Sequence, residues 1–166
     1  MSSQQLKRPI FKHPGSVVTA TLVLCVIGFY SLSNVLADSL DDDIIVENFA
    51  INQPLTATPG DPERGLATLV HRQKGNCLGC HHVPIEAEFF GTTGPSLAGV
   101  GARLPIGMLR LRLVDSKQIN PSSMMPAYYK ADGLHRVMQD FEGKTILSAQ
   151  DIEDVIAYLA TLTTMP

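Results

Sequence analysis

The chain has little cysteine: three residues in 166, at positions 25, 77 and 80. That excludes a small scaffold stapled by several disulfides. It also excludes a structural zinc site, because no further cysteine pair exists to complete one. Acidic residues are missing from the front, and all 16 lie at or beyond Asp38. Charge of either sign is missing from "SVVTATLVLCVIGFYSLS", Ser16 to Ser33. Strand patterning is also scarce, so no βαβ frame surrounds Cys77 and Cys80, and a thioredoxin-like redox pair lacks its context.

The missing acids and the uncharged run fall together with a basic start at Lys7, Arg8, Lys12 and His13. Val35-Leu36-Ala37 then offers a small-residue cleavage site. This pattern predicts a secretory signal over residues 1–37, cut after Ala37. An uncleaved anchor is the rival reading, since the apolar run approaches membrane-spanning length. Cleavage removes Lys7, Arg8 and Lys12 and leaves 10 of the 13 basic residues against all 16 acidic ones, about −6. Such a charge disfavours nucleic acid and anionic membrane surfaces. It permits docking on a basic protein face. Cys25 leaves with the signal, so the mature chain holds Cys77 and Cys80 alone.

Residues 38–60 read as an extended N-terminal arm, acidic first and then rich in Pro and Thr. The main domain spans 61–166. "DPERGLATLVHRQ" predicts a helix: Asp61 as N-cap, Pro62 at the first position, Glu63 at the positive end. Leu66, Leu69 and Val70 share a face, and Gly65 lets a second helix approach it closely. This helix should stop near Gly75. "GTTGPSLAGVGARLP" is loop. "IGMLRLRLVD" reads as a short helix, although apolar alternation from Leu109 to Leu113 also fits a strand. "NPSSMMPAYY" is a loop with two prolines. "SAQDIEDVIAYLATL" is the clearest helix, with Ser148 and Asp151 as a capping box and Ile152, Val155, Ile156 and Leu159 as its apolar stripe. The result is a small all-α protein with long loops, which gains from a large buried cofactor in its core.

"KGNCLGCHHVP" supplies that cofactor. Cys77-Leu78-Gly79-Cys80-His81 is a C-x-x-C-H sequence, the attachment signature of c-type haem. Two thiols at that spacing can each bond a vinyl group on the haem edge, with His81 beneath the iron as fifth ligand. His82 points about 100° away on a helix and reads as a surface or loop contact. For the sixth ligand the candidates are Met125, its neighbour Met124, and His135 as the best non-methionine. Met125 leads because Pro126 holds it extended on a loop beyond an intervening segment. A His/Met pair raises the reduction potential and leaves no open position at the iron. That arrangement suits electron transfer.

"GNCLGCHH", "GPSLAGVG" and "MPAYY", with the capped last helix, resemble the class I cytochromes c. That resemblance implies crossed terminal helices, with Gly65, Leu69 and Tyr158 at the crossing. It makes Pro95 the residue whose carbonyl accepts a hydrogen bond from His81 and so tunes it. "GTTGPSLAGVGAR", "INPSSMMPAYY" and "LSAQDIEDVIAYLATL" are similar, in order and spacing, to the SoxX family. Its members are the small cytochrome subunits of the SoxAX complexes of sulfur oxidation. The likeness runs from about Ile44 to Leu162. It implies one covalent haem c, a SoxA-like cytochrome partner, a SoxYZ carrier protein and a downstream electron-acceptor cytochrome, all in the periplasm. In that family thiosulfate is joined oxidatively to a SoxYZ cysteine, SoxA carries the catalytic cysteine, and SoxX carries electrons. A free-standing periplasmic electron shuttle is the alternative, which the generic haem motifs support equally.

Overall fold

The computed structural model describes residues 44–164, so the expected signal over 1–37 and the first residues of the arm lie outside the described part. The first described helix, α1, is Pro62–Val70. The Asp61 carboxylate accepts the N–H groups of Glu63 and Arg64, and Pro62 sits where an N–H would have no helical partner. α1 stops at Val70, short of the expected Gly75. The chain instead turns through 72–75, and the Gly75 and Asn76 N–H groups return to the carbonyls of Thr68 and His71. These bonds satisfy carbonyls that a longer helix would have used.

The last helix, α4, is Ala149–Thr161, and the reciprocal Ser148–Asp151 capping box opens it. Its stripe of Ile152, Val155, Ile156 and Leu159 is buried. At about 1.5–3 kcal/mol for each fully buried aliphatic side chain, this stripe is a main stabilising face. α1 and α4 cross at Gly65. A Cβ there would overlap the Asp154 carbonyl oxygen and come within 3.0 Å of the Tyr158 Cβ. Asp154 fastens the crossing. Its carboxylate accepts the Asp61 N–H at 2.8 Å, the Arg64 guanidinium at 2.8 and 2.9 Å, and the Gln150 amide at 2.8 Å. Burial pushes this carboxyl upward, but those donors outweigh it and hold it below the usual range.

Two further helices lie between the terminal pair: α2, Val100–Arg103, and α3, Ile106–Asp115. The strand-like alternation in α3 has a physical cause. Leu109, Leu111, Leu113 and Val114 are all buried, so no solvent-facing stripe marks a helical period. Among the described residues no strand forms, and the one isolated bridge joins Glu47 to Ala50. The described part of the arm lies on the core. Ile51 is fully buried and its N–H donates to the Gly107 carbonyl at 3.0 Å. Ile45 and Phe49 face outward.

Candidate functional site

The cysteine–histidine segment is a turn with its ends tied down. Asn76 takes a left-handed conformation, φ 47°, and starts a single 3-10 turn over Cys77–Gly79. Cys77 is buried and Cys80 exposed. Burial, then the neighbouring Cys80, pushes the Cys77 thiol up to about 12.

The loop from Gly91 to Leu97 is laced onto this turn. The N–H groups of Gly91, Gly94 and Leu97 donate to the carbonyls of Leu78, Cys80 and His82, at 2.8, 2.7 and 2.9 Å. That lacing brings Pro95 to His81, whose Nδ1 lies 2.6 Å from the Pro95 carbonyl oxygen. A carbonyl can only accept, so Nδ1 carries the proton. Nε2 is left with its lone pair, the state a metal ligand needs. His82 is exposed; its ring lies 4.7 Å from that of Phe90, and Ser96 Oγ is 3.4 Å from its Nδ1.

Gly94 is the residue the sequence reading passed over here. A Cβ at this position would overlap the His81 ring. Gly94→Ala should therefore push the imidazole off the Pro95 carbonyl. We expect holoprotein stability to fall by about 1–3 kcal/mol, the usual range for overpacking. Denaturant unfolding measures it, and wild-type stability would show that the ring has room to give.

Met124 and Met125 part company. Met124 is 82% exposed, whereas Met125 is half-buried and packs against the core cluster. The loop they share is hooked back toward the cysteines. Tyr128 is buried and donates its hydroxyl to the Gly75 carbonyl at 2.8 Å, two residues before Cys77. Burial first, and then the nearby Cys77 and Cys80, raises the Tyr128 pKa, which keeps the hydroxyl a donor. Tyr128 and Tyr129 are both packed inside. The pair "YY" after "MPA" was legible, but the 53-residue reach from Tyr128 to Gly75 was not.

The cytochrome c family model matches residues 69–163. The chain belongs to the cytochrome c family. A chain in the crystal structure of SoxXA from P. pantotrophus is 37% identical, covering 72% of this chain and 94% of its own, with a TM-score of 0.67. The protein is thus a SoxX-like cytochrome. No curated protein matches it.

The donor set of this cytochrome fits the covalent haem c that its family implies. Two thiols are set three positions apart on a 3-10 turn. The following imidazole has its outer nitrogen freed for metal, and a half-buried thioether stands on a loop tied to the same turn. When bound, such a haem would supply a one-electron iron couple. Among the described residues no helix is long and apolar enough to cross a membrane.

Proposed function

We propose that this cytochrome is the electron-carrying subunit of a SoxAX-type complex in the periplasm. It holds one haem c through Cys77 and Cys80, with His81 and Met125 as axial ligands and Pro95 orienting the imidazole. Residues 1–37 act as its export signal, 38–60 as its arm and 61–166 as its cytochrome domain. The observation that carries this reading is the 37% identity running over 94% of a chain of SoxXA.

The cysteine pattern agrees with that role. Joining thiosulfate to a carrier cysteine forms one sulfur–sulfur bond. The thiol loses its proton and two electrons leave. The attacking group must be a free thiolate. Both cysteines among the described residues belong to the C-x-x-C-H turn, so the catalytic thiol comes from a SoxA-like partner acting on SoxYZ. This subunit accepts the released electrons one at a time and passes them to a downstream cytochrome. Each turnover therefore needs two transfers or a second centre.

The test is a tag pull-down of this protein from the periplasm of its own host, with haem staining of the denatured gel. A larger subunit recovered in fixed ratio and carrying an alkylatable cysteine is the expected result. A lone haem-stained band at the mature mass would overturn the complex and leave a free-standing electron shuttle.

A further inference from the structure

Helix α3 ends against the loop that carries Met125. Ser116, the first residue after α3, is buried and donates its hydroxyl to the Met125 carbonyl oxygen at 2.9 Å. The Lys117 ammonium donates to the same oxygen at 3.0 Å. Both lone pairs of that carbonyl are thereby engaged. On the other side of the residue, the Met125 N–H donates to Ser123 Oγ at 3.2 Å. The backbone of Met125 is thus fixed at both of its peptide groups.

The donors are themselves held. The Lys117 N–H donates to Asp115 Oδ1 at 3.1 Å, and the other Asp115 oxygen accepts the Lys130 ammonium at 3.2 Å. Farther along the loop, the Tyr128 and Tyr129 N–H groups donate to the Leu113 and Val114 carbonyls, at 3.0 and 3.4 Å. Those carbonyls lie in the last turn of α3, where no helical N–H reaches them. The end of one helix therefore does the work of a clamp on residues 125–129.

We infer that Ser116 and Lys117 are positioning residues that hold the Met125 side chain where it can reach an iron. The inference rests on the reading of Met125 as the sixth ligand. A soft, neutral thioether favours ferrous over ferric iron. In the oxidised protein its hold therefore depends on how firmly the chain presents it. Neither positioning side chain needs to touch the iron. Each acts through the Met125 carbonyl, one bond from the Cα that carries the thioether.

The experiment titrates the ferric holoprotein with imidazole, which competes with the sixth ligand, and follows the shift of the main haem absorption band, which reads every variant including Met125→Ala. Lys117→Met and Ser116→Ala should each raise imidazole affinity up to roughly tenfold, the effect of one lost hydrogen bond. Ser116→Thr keeps the hydroxyl and should restore wild-type affinity. Lys117 is exposed, so Lys117→Met should cost the fold no more than the hydrogen bond it loses, and the rise in imidazole affinity, which a merely structural role would not move, is what reads positioning. If Ser116→Ala fails to fold, Lys117→Met decides alone. Wild-type imidazole affinity in Lys117→Met and in the Ser116→Ala/Lys117→Met double variant would overturn the inference, provided Met125→Ala binds imidazole more tightly. If Met125→Ala itself binds imidazole as the wild type does, the ligand assignment fails instead, and the inference falls with it.

Discussion

Replacing Met125 by alanine is expected to abolish the weak sulfur-to-iron charge-transfer absorption of the oxidised protein. It should also lower the reduction potential by on the order of 0.1 V or more, within the roughly 0.8 V that axial ligands span. The sign follows from the ligand chemistry. A thioether stabilises the reduced iron, so its loss makes reduction harder. The choice of Met125 follows from placement. Met124 is 82% exposed, turned to solvent. Met125 is drawn inward against the core, at a bend just ahead of Pro126. The loop that bears it is tied by Tyr128 to Gly75, just ahead of the cysteine turn. Met124→Ala should leave both the absorption and the potential unchanged. Absorption spectra and a redox titration of the two variants decide the matter. Loss of the absorption in Met124→Ala, with Met125→Ala intact, would reverse the assignment.

What the sequence made legible was local. The caps of α1 and α4 involve residues two or three positions apart, and the stripe of α4 repeats within a few turns. Short-range chemistry of this kind leaves a written pattern. So does the C-x-x-C-H turn, whose spacing is set by a single haem edge. α3 was ambiguous because burial of most of its surface erased the contrast on which periodicity depends. The partnership of His81 with Pro95 was expected only through family resemblance, since they stand 14 positions apart across an irregular loop. Gly94 was read simply as loop, yet it leaves the space that the imidazole fills. The carbonyl clamp at Met125 gave no sign at all. Ser116 and Lys117 look like ordinary helix-end residues until the loop folds back onto them.

The same holds for the arm. Residues 44–60 carry no helical period, and composition alone could not say whether they cover a partner or this chain's own core. Ile51 and Leu55 are held in place from within. The Arg110 guanidinium donates to the Ile51 carbonyl at 2.7 Å, and the Glu153 carboxylate accepts the Leu55 N–H at 2.9 Å. Arg110 and Glu153 meet each other in a two-pronged bond, at 2.7 and 2.8 Å, across 43 residues of chain. Charged side chains usually face water, so nothing in the sequence marked either as interior. Both are less than 10% exposed, and together they join α3, α4 and the arm.

Glu153→Ala is therefore expected to destabilise the holoprotein by about 3–5 kcal/mol, the range for removing one partner of a buried ion pair. The attraction between the charges is not the main reason. The Arg110 guanidinium stays enclosed with only the Ile51 carbonyl as partner, and the Leu55 N–H loses its acceptor. Glu153→Gln keeps the shape and an acceptor oxygen for Leu55, so it should cost less. A double replacement, Arg110→Met with Glu153→Met, removes both charges and should recover most of the loss. It cannot restore the two backbone bonds of the arm. Chemical denaturation measures the global loss, and amide hydrogen exchange at Leu55 reads the arm alone. The expected pattern is a split. Exchange at Leu55 quickens in Glu153→Ala and in the double variant, while global stability falls steeply only in the single one. Should Glu153→Ala lose less than about 1 kcal/mol, water must already reach the pair, and the arm must be held by the burial of Ile51 and not by its polar anchors. Should the double variant remain as unstable as the single one, the two backbone anchors would be the larger part of the effect, with the ion pair serving mainly to position them.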